Sequence, residues 1–296
     1  MILHIAKYEK PGVKTDTLHT CYKINNIIYS STEGDRIPLR ANVLKENTWL
    51  EEGKPFSSEM LKRTYNSLGK LQAVKYTNIQ FKEAGEGLLD CNIRVSPSTP
   101  NSISFQPEGT NTAGDLGAAV SLTYENRNLF RGSEVFSVKL RGAYEAITGL
   151  EGYQNQNYIE YGIESKILFP SFMCPFLSYD FKRRSYSTTE IGVSYNLQNR
   201  PEFHRRVFSG SVRYRWTDSS QKHQYKVDII DLNYVYMPWI SSTFKDNYLD
   251  NVDNKNVILK YNYEDLFIMK IGFGMTYSHK NNAFKINCET AGNILN

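Results

Sequence analysis

The chain has 296 residues, of which 35 are basic and 31 acidic, giving a formal net charge of +4. This small and dispersed excess argues against a nucleic-acid-binding surface, which has to neutralise many phosphates. The length suffices for one large domain or two ordinary ones, and no stretch reaches the roughly 18 apolar residues of a membrane-spanning helix.

The first 20 residues do not predict a secretory signal. The stretch MILHIAKYEKPG lacks a basic region followed by a long apolar segment and a small-residue cleavage site. Two alternatives stay open: a cytoplasmic protein, or a chain whose natural start lies upstream. The four cysteines, at positions 21, 91, 174 and 288, are too scattered to predict a zinc site or a disulfide framework, although a Cys21–Cys91 bridge is an open alternative.

Residues 21–97 predict a mixed domain with the element order β-α-α-β-β. The stretch at 22–29 is rich in β-branched and aromatic residues, two helical patterns follow it, and two strand patterns lie at 73–83 and 87–98. Gly69 is expected to stop the second helix in a left-handed conformation. This order makes a three-stranded sheet with two helices on one face.

Such a sheet leaves one edge exposed. An exposed edge presents unpaired N–H and C=O groups, to which another chain can add as a further strand. The residues predicted to form this edge are Val74, Lys75, Tyr76, Thr77, Asn78, Ile79, Gln80 and Phe81.

The prolines and serines of residues 96–102 predict a linker, after which helical patterns vanish. Residues 98–296 show nine runs in which apolar and polar residues alternate. Several runs exceed ten residues, which favours tilted membrane-crossing strands of about 9 to 11 residues over soluble strands of about 5 or 6. The runs lie at 102–107, 115–126, 133–147, 157–169, 187–198, 205–217, 224–237, 266–278 and 283–293.

Apolar and charged side chains keep to opposite faces of these runs. In the run at 157–169, for example, Ile159 and Ile163 share one face while Glu160 and Glu164 share the other. Lipid contact explains this separation, because a charge on the outer face of a barrel costs roughly 2 to 4 kcal/mol at mid-bilayer. A soluble antiparallel sandwich also alternates and is the structural alternative.

Two local irregularities are expected among the runs. The apolar parity shifts between Val227 and Leu232, which predicts a β-bulge. Pro107 and Gly109 are expected to end the first run early, because a proline has no N–H to donate to a neighbouring strand.

No pattern in the chain predicts an enzyme. Residues 109–116 have the glycine spacing of a phosphate loop, but Asp115 and Leu116 stand where a lysine and a serine or threonine belong. The five histidines form no metal-binding pair, and the acidic stretch at 245–256 lacks the pattern of a calcium loop. The sequence therefore predicts no catalytic, cofactor-binding or metal-binding residues and no nucleic-acid partner.

An α/β unit of this order, followed by GTNTAGDLGAAVSLTYENRNLFRGSE (109–134), resembles the outer-membrane assembly-factor superfamily, the BamA/TamA or bacterial surface antigen group. The resemblance is to the junction between the last POTRA domain and the first barrel strands of that family. The stretch NRNLFRGSE is similar to the turn after its second strand. TTEIGVSYNLQNRPEF, DLNYVYMPWI, NYEDLFIMK and ETAGN also resemble the family, so the likeness covers nearly the whole chain.

The resemblance implies a periplasmic POTRA domain at 21–97 and, from residue 98 to 296, the N-terminal part of an antiparallel outer-membrane β-barrel. The family's barrel has about 16 strands, and neither its Arg-Gly-Phe lid motif nor its closing strand is found here. Residues 1–20 are expected to be a remnant of a preceding POTRA unit and a linker, with residues 2–9 as its last strand. We therefore expect an internal fragment or a shortened gene product.

The function that the resemblance implies is the insertion of other β-barrel proteins. A client strand would add to the free edge of the first barrel strand and would also be held at the POTRA edge. The implied partners are unfolded outer-membrane clients, periplasmic or lipoprotein accessory proteins and membrane lipid. The residues expected to form the first-strand edge are Ser102, Ile103, Ser104, Phe105 and Gln106.

Two other functions stay open. A polypeptide-translocating pore of the two-partner secretion type would have the same architecture, with a charged and water-filled lumen. A truncated product that never assembles is the third alternative. The pore lumen would be lined by Lys139, Arg141, Glu160, Glu164, Arg213 and Arg215.

Overall fold

The structure, a computed structural model, describes residues 21–34, 36–112, 115–147, 156–174, 176–218, 220–249, 262–279 and 281–293. The strand expected at residues 2–9 and most of the acidic stretch at 245–256 lie outside them. The described residues form a three-stranded sheet with helices and a separate nine-stranded sheet. No helix within them is both long and apolar enough to cross a membrane.

The α/β unit, residues 21–97, has the predicted element order. Its elements are β1 (Lys23–Ser31), α1 (Ala41–Glu46), α2 (Ser58–Leu68), β2 (Val74–Gly85) and β3 (Leu88–Pro97). The strand order is β1-β3-β2, with β1 parallel and β2 antiparallel to the central β3.

One hydrophobic core holds this unit together. It forms because the inward residues of the sheet meet the apolar stripe of α2 and the residues that flank the helices. Burial raises the pKa of the Cys91 thiol to about 12, and Cys91 and Cys21 are both free thiols, so they do not form the bridge left open above. The core consists of Leu39, Leu44, Leu50, Leu68, Leu71, Ala73, Val74, Ile79, Cys91, Ile93 and Val95.

The two ends of the second helix, α2, are stabilised by different hydrogen bonds. Ser57 is the N-cap, and its hydroxyl accepts a hydrogen bond from the Met60 N–H at 3.4 Å. The left-handed stop expected at Gly69 is wrong, since its φ is −68°. The chain instead tightens after the helix, where Lys70 N–H donates to the Ser67 carbonyl and Leu71 N–H to the Leu68 carbonyl, so no left-handed residue is required.

All nine predicted runs are strands of one antiparallel sheet, in which each strand pairs with its neighbours in chain order. They are 12 to 18 residues long. The strands are β4 (Asn101–Thr112), β5 (Asp115–Asn126), β6 (Val135–Ile147), β7 (Gln156–Phe169), β8 (Tyr186–Asn199), β9 (Phe203–Thr217), β10 (His223–Ile240), β11 (Leu266–His279) and β12 (Asn282–Asn293).

Two expectations about the connections are wrong. The linker is shorter than predicted, because β3 continues to Pro97 and β4 begins at Asn101. Helices also recur after residue 98, as α3 (Tyr179–Arg184), α4 (Ser242–Phe244) and a π-helical turn at Lys245–Leu249. These helices lie in loops between strands, where a sequence of one or two turns gives too few residues to reveal a helical period.

The predicted β-bulge is present. Asp228 of β10 lies opposite Arg213 of β9, and Ile230 lies opposite the adjacent Val212, so Ile229 has no partner in this pair of strands. One extra residue moves the apolar side chains of β10 onto the other parity and keeps them on the same face of the sheet.

The apolar face of the nine-stranded sheet is exposed over most of its area. Leu116 is 68% exposed and Tyr161 is 61% exposed, and many others exceed 40%. A sandwich would bury such residues between two sheets, but the nine strands form a single sheet. The described architecture is a single antiparallel sheet of nine long strands with one apolar and one polar face, which is consistent with part of a β-barrel.

Candidate functional site

The segment predicted to pair with client strands lies at one edge of the nine-stranded sheet. β4 pairs with β5 on one side, and within the described residues no strand pairs with its other side. Ile103 and Phe105 project from the apolar face, where they are 73% and 64% exposed. Ser102, Ser104 and Gln106 alternate with them on the polar face. The edge therefore continues the two-faced pattern of the sheet.

The expected early end of this strand is wrong. Pro107 lies opposite Val120 and Gly109 lies opposite Ala118, and β4 continues to Thr112. An edge strand accommodates a proline when the position of its missing N–H faces away from the neighbouring strand. The proline thus does not interrupt pairing with β5, but it removes one donor from the free side.

The predicted edge of the α/β unit is also an edge in the structure. Val74 to Phe81 lie in β2, which pairs only with the central β3 among the described strands. Part of this edge is already satisfied, because the Ile79 N–H donates to the hydroxyl of Tyr65 on α2 at 3.0 Å. The sequence analysis missed this contact, which links a helix to a strand 14 residues further along.

The other edge of the same sheet is covered. The Ile24 N–H of β1 donates to the Lys54 carbonyl at 3.0 Å, and the Ile27 N–H donates to the Glu52 carboxylate at 3.0 Å. Gly53 N–H returns a bond to the Ile24 carbonyl at 2.7 Å. The segment before α2 therefore blocks β1, which leaves β2 as the more accessible edge of the α/β unit.

A turn after β5 fixes the α/β unit against the sheet. The Glu134 carboxylate, which is buried, accepts hydrogen bonds from the N–H groups of Phe130 and Gly132 at 3.2 and 2.9 Å. It also pairs with Arg40 of the α/β unit at 3.0 Å. A side chain at Gly132 would force this ion pair to move, since an added Cβ would lie 2.2 Å from Glu134 Oε1 and 2.5 Å from Arg40 Nη2.

The same turn reaches the core of the α/β unit. The buried Ala73 N–H donates to the hydroxyl of Ser133 at 2.9 Å. Ser133 has a φ of +66°, a conformation that costs energy in a residue other than glycine. The Ser133 N–H donates to the Asn128 side chain at 3.1 Å, and the Asn128 amide donates to the Pro38 carbonyl at 3.0 Å. The conformation of Ser133 is therefore stabilised by two hydrogen bonds, one at its hydroxyl and one at its N–H.

A second contact comes from α3, in the loop between β7 and β8. The guanidinium of Arg183 donates to the Thr48 carbonyl at 2.7 Å and lies 4.7 Å from the centre of the Trp49 ring. Its other amino group lies 3.6 Å from Glu51, whose pKa is lowered mainly by the hydrogen bond from Lys54, with Arg183 contributing. Two loops of the sheet thus hold the α/β unit.

The polar face carries a network of ion pairs across β8, β9 and β10. Arg213 binds both Glu190, at 2.9 Å, and Asp228. Arg215 also pairs with Glu190 at 3.2 Å, and Lys226 pairs with Asp228 at 2.7 Å. The two carboxylate side chains are only 15% and 12% exposed, so each needs its cationic partners. The network ties three strands together on this face.

This arrangement offers binding surfaces. Within the described residues no three histidine, cysteine, aspartate or glutamate side chains gather as a metal site. The charged groups of the network are engaged with one another. Main-chain hydrogen bonding is available at three strand edges among the described residues, those of β2, β4 and β12.

Comparison with known proteins gives a likeness in structure alone. No protein-family model and no curated protein matches the chain. BamA from Haemophilus ducreyi lacking POTRA domains 1–3 matches with a TM-score of 0.56 at 11% identity, over 93% of this chain and 48% of that chain. The chain shares the fold of that structure. It spans about half of the length of that chain, 48%, which itself lacks three POTRA domains.

Two further solved structures cover most of the chain. CdiB from Acinetobacter baumannii has a TM-score of 0.39 at 11% identity, over 92% of this chain and 64% of that chain. CdiB from Escherichia coli has a TM-score of 0.40 at 10% identity, over 93% of this chain and 55% of that chain.

Proposed function

We propose that the chain is part of an outer-membrane β-barrel assembly factor of the BamA/TamA type, in which client strands pair with the free edge of β4. The observation that carries this proposal is the edge itself, where Ser102 to Gln106 have one unpaired side and keep the apolar and polar alternation of the sheet. Main-chain hydrogen bonds at such an edge accept many client sequences. The likeness in fold to BamA supports the barrel part of the proposal.

The two halves of the chain take different places in this proposal. Residues 98–296 lie in the outer membrane, which the exposed apolar face supports. The α/β unit is a periplasmic POTRA domain, which its β-α-α-β-β order supports. The open edge of β2, at Val74 to Phe81, holds unfolded clients or accessory lipoproteins before they reach β4.

Disulfide trapping tests this proposal. A Ser104→Cys variant, with Cys21, Cys174 and Cys288 replaced by serine, is mixed with a client strand that carries one cysteine. Adjacent strands place paired Cβ atoms about 4.5 to 5.5 Å apart, close enough for a disulfide. We expect crosslinks at position 104.

The matched control is a Ser137→Cys variant. Ser137 lies in β6, which has strand neighbours on both sides. Equal crosslinking of the two variants, or crosslinks at position 137 alone, would contradict the proposal. Band identity is checked by reduction and by mass spectrometry of the linked peptides.

A translocating pore is the second candidate, and the ion pairs of the polar face favour it. Charges such as Arg213 and Glu190 are typical of a hydrated lumen. Single-channel recording in planar bilayers distinguishes the two functions. Large and stable conductance favours the pore, whereas client folding in liposomes without such conductance favours the assembly factor.

A further inference from the structure

A cavity of about 830 Å³ lies between the α/β unit and the polar face of the nine-stranded sheet. We call it the junction cavity. Its walls come from residues next to α1 and α2, from the loop that contains α3, and from strands β8 to β12. No residue of β2 or β4 lines it, so it is separate from the two edges proposed to bind clients, whereas β12, the other edge strand of the large sheet, contributes to its wall.

The charges around the junction cavity are unbalanced. Glu46 and Glu289 are the carboxylates among its lining residues, against a larger number of cations. These cations belong to five different parts of the fold, so the positive charge is spread along the wall instead of converging on one point. They are Lys70, Lys182, Arg183, Arg215, Lys226 and Lys285.

Half of these cations already have carboxylate partners. Arg183, Arg215 and Lys226 take part in the ion pairs described above. Lys70 and Lys182 have no carboxylate within 4.0 Å among the described residues, and the same is true of Lys285. Three ammonium groups of the cavity wall therefore have no ion-pair partner among the described residues, and they outnumber the two carboxylates of the wall, Glu46 and Glu289.

The environment of Lys70 adds to this imbalance. Its ammonium lies over the ring of Tyr186, and desolvation lowers its pKa to about 8. A cation that is partly removed from water gains more from a bound anion than a fully solvated one. Phe172, Trp216 and Tyr225 also line the cavity and supply apolar contact.

We propose that the junction cavity binds acidic polypeptide segments, whose carboxylates meet Lys70, Lys182 and Lys285. Cations distributed over several elements match a ligand with several carboxylates along a chain better than one small anion. A membrane lipid is a poorer match, because its acyl chains belong at the apolar face and this cavity lies on the polar face. The proposal needs only binding and does not rest on the proposed function.

The test measures binding of fluorescein-labelled hexaglutamate to the whole chain in detergent, by fluorescence anisotropy. The triple variant Lys70→Gln, Lys182→Gln, Lys285→Gln is compared with the control triple variant Lys62→Gln, Lys139→Gln, Lys270→Gln. Both remove the same charge, and the control positions do not line the cavity. Circular dichroism melts check that both variants fold.

We expect at least a tenfold loss of affinity in the cavity variant and less than a twofold loss in the control. Hexaglutamine and hexalysine should not bind, and raised salt should weaken binding because exposed charges are screened. Equal losses in the two variants would overturn the proposal. So would displacement of the peptide by inorganic phosphate at the same charge concentration, or by phosphatidylglycerol added to the detergent micelles, which would indicate a small-anion or lipid site.

Discussion

In β3 of the α/β unit, Cys91, Ile93 and Val95 occupy alternate positions and are fully buried. In β8 of the large sheet, Ile191 and Val193 also occupy alternate positions, but they are 38% and 46% exposed. The local pattern is the same in both strands. The difference lies in what the chain places against the apolar face, which is a pair of helices in one region and no further layer of described residues in the other. Alternation therefore shows which side chains share a face of the strand, but not what packs against that face.

The largest expected difference between the two regions comes from removing an apolar side chain in each. Ile93→Ala should cost about 2 to 5 kcal/mol of unfolding free energy, because it leaves a cavity in the α/β core. Ile163→Ala, on the exposed apolar face, should cost less than about 1 kcal/mol in detergent. Denaturant unfolding measures both, with Trp49 as the only tryptophan when Ile93→Ala is tested and Trp216, in β9, as the only tryptophan when Ile163→Ala is tested.

A similar loss for Ile93→Ala and Ile163→Ala would show that another layer covers the apolar face. It would contradict the comparison directly.

A charge on the apolar face sharpens the comparison in lipid. Val193→Arg should weaken folding into phosphatidylcholine vesicles by about 2 to 4 kcal/mol, because it places a cation at the hydrocarbon. Ser194→Arg, one residue along on the polar face, is the control and should change it by less than about 1 kcal/mol. Equal effects of the two variants would mean that lipid does not contact this face.

A substitution at the junction between the α/β unit and the nine-stranded sheet is expected to have the next largest effect on the unfolding free energy. Gly132→Ala should cost about 1 to 3 kcal/mol, because its Cβ would displace the Glu134 carboxylate and the Arg40 guanidinium. Gly109→Ala is the matched control, since an added Cβ there meets no atom within 4 Å. Thermal unfolding with limited proteolysis reports whether the α/β unit detaches, and unchanged behaviour of Gly132→Ala would rule out this fixed contact.

The smallest expected effect concerns the edge of the α/β unit. Tyr65→Phe removes the acceptor of the Ile79 N–H and should cost about 0.5 to 1.5 kcal/mol. It should also raise the binding of extended peptides to β2, measured by crosslinking, because one more donor is available. Tyr76→Phe, at a side chain that is 53% exposed, is the control. Lower peptide binding by Tyr65→Phe would contradict this account.

Local sequence determines much of this fold. The nine strands and the bulge near Ile229 follow from side-chain parity alone, because a pleated strand imposes a period of two residues. The order of the α/β unit follows from the change between helical and strand periods. The two edges named in advance, at Val74 to Phe81 and Ser102 to Gln106, are edges of their sheets in the structure, while their pairing with clients stays a prediction.

Contacts between distant residues could not be predicted in the same way. The contact of Arg183 with Trp49 and Thr48 joins segments about 135 residues apart in the chain, and a charged residue in a loop gives no sign of its partner. The hydrogen bond from Ile79 to Tyr65 depends on how α2 packs on the sheet. The passage of β4 through Pro107 depends on which side of the strand its neighbour occupies.

Pro107 marks one position on the free side of β4 at which no N–H donor is available. A strand that pairs with this side, starting at the end near the α/β unit, meets N–H donors in the first residues of β4 and then no donor at Pro107. The partner would be held firmly over about six residues and only loosely beyond them. Such a pair of strands favours one register and one starting point. It can separate first at the end beyond Pro107, without breaking all of its hydrogen bonds at once.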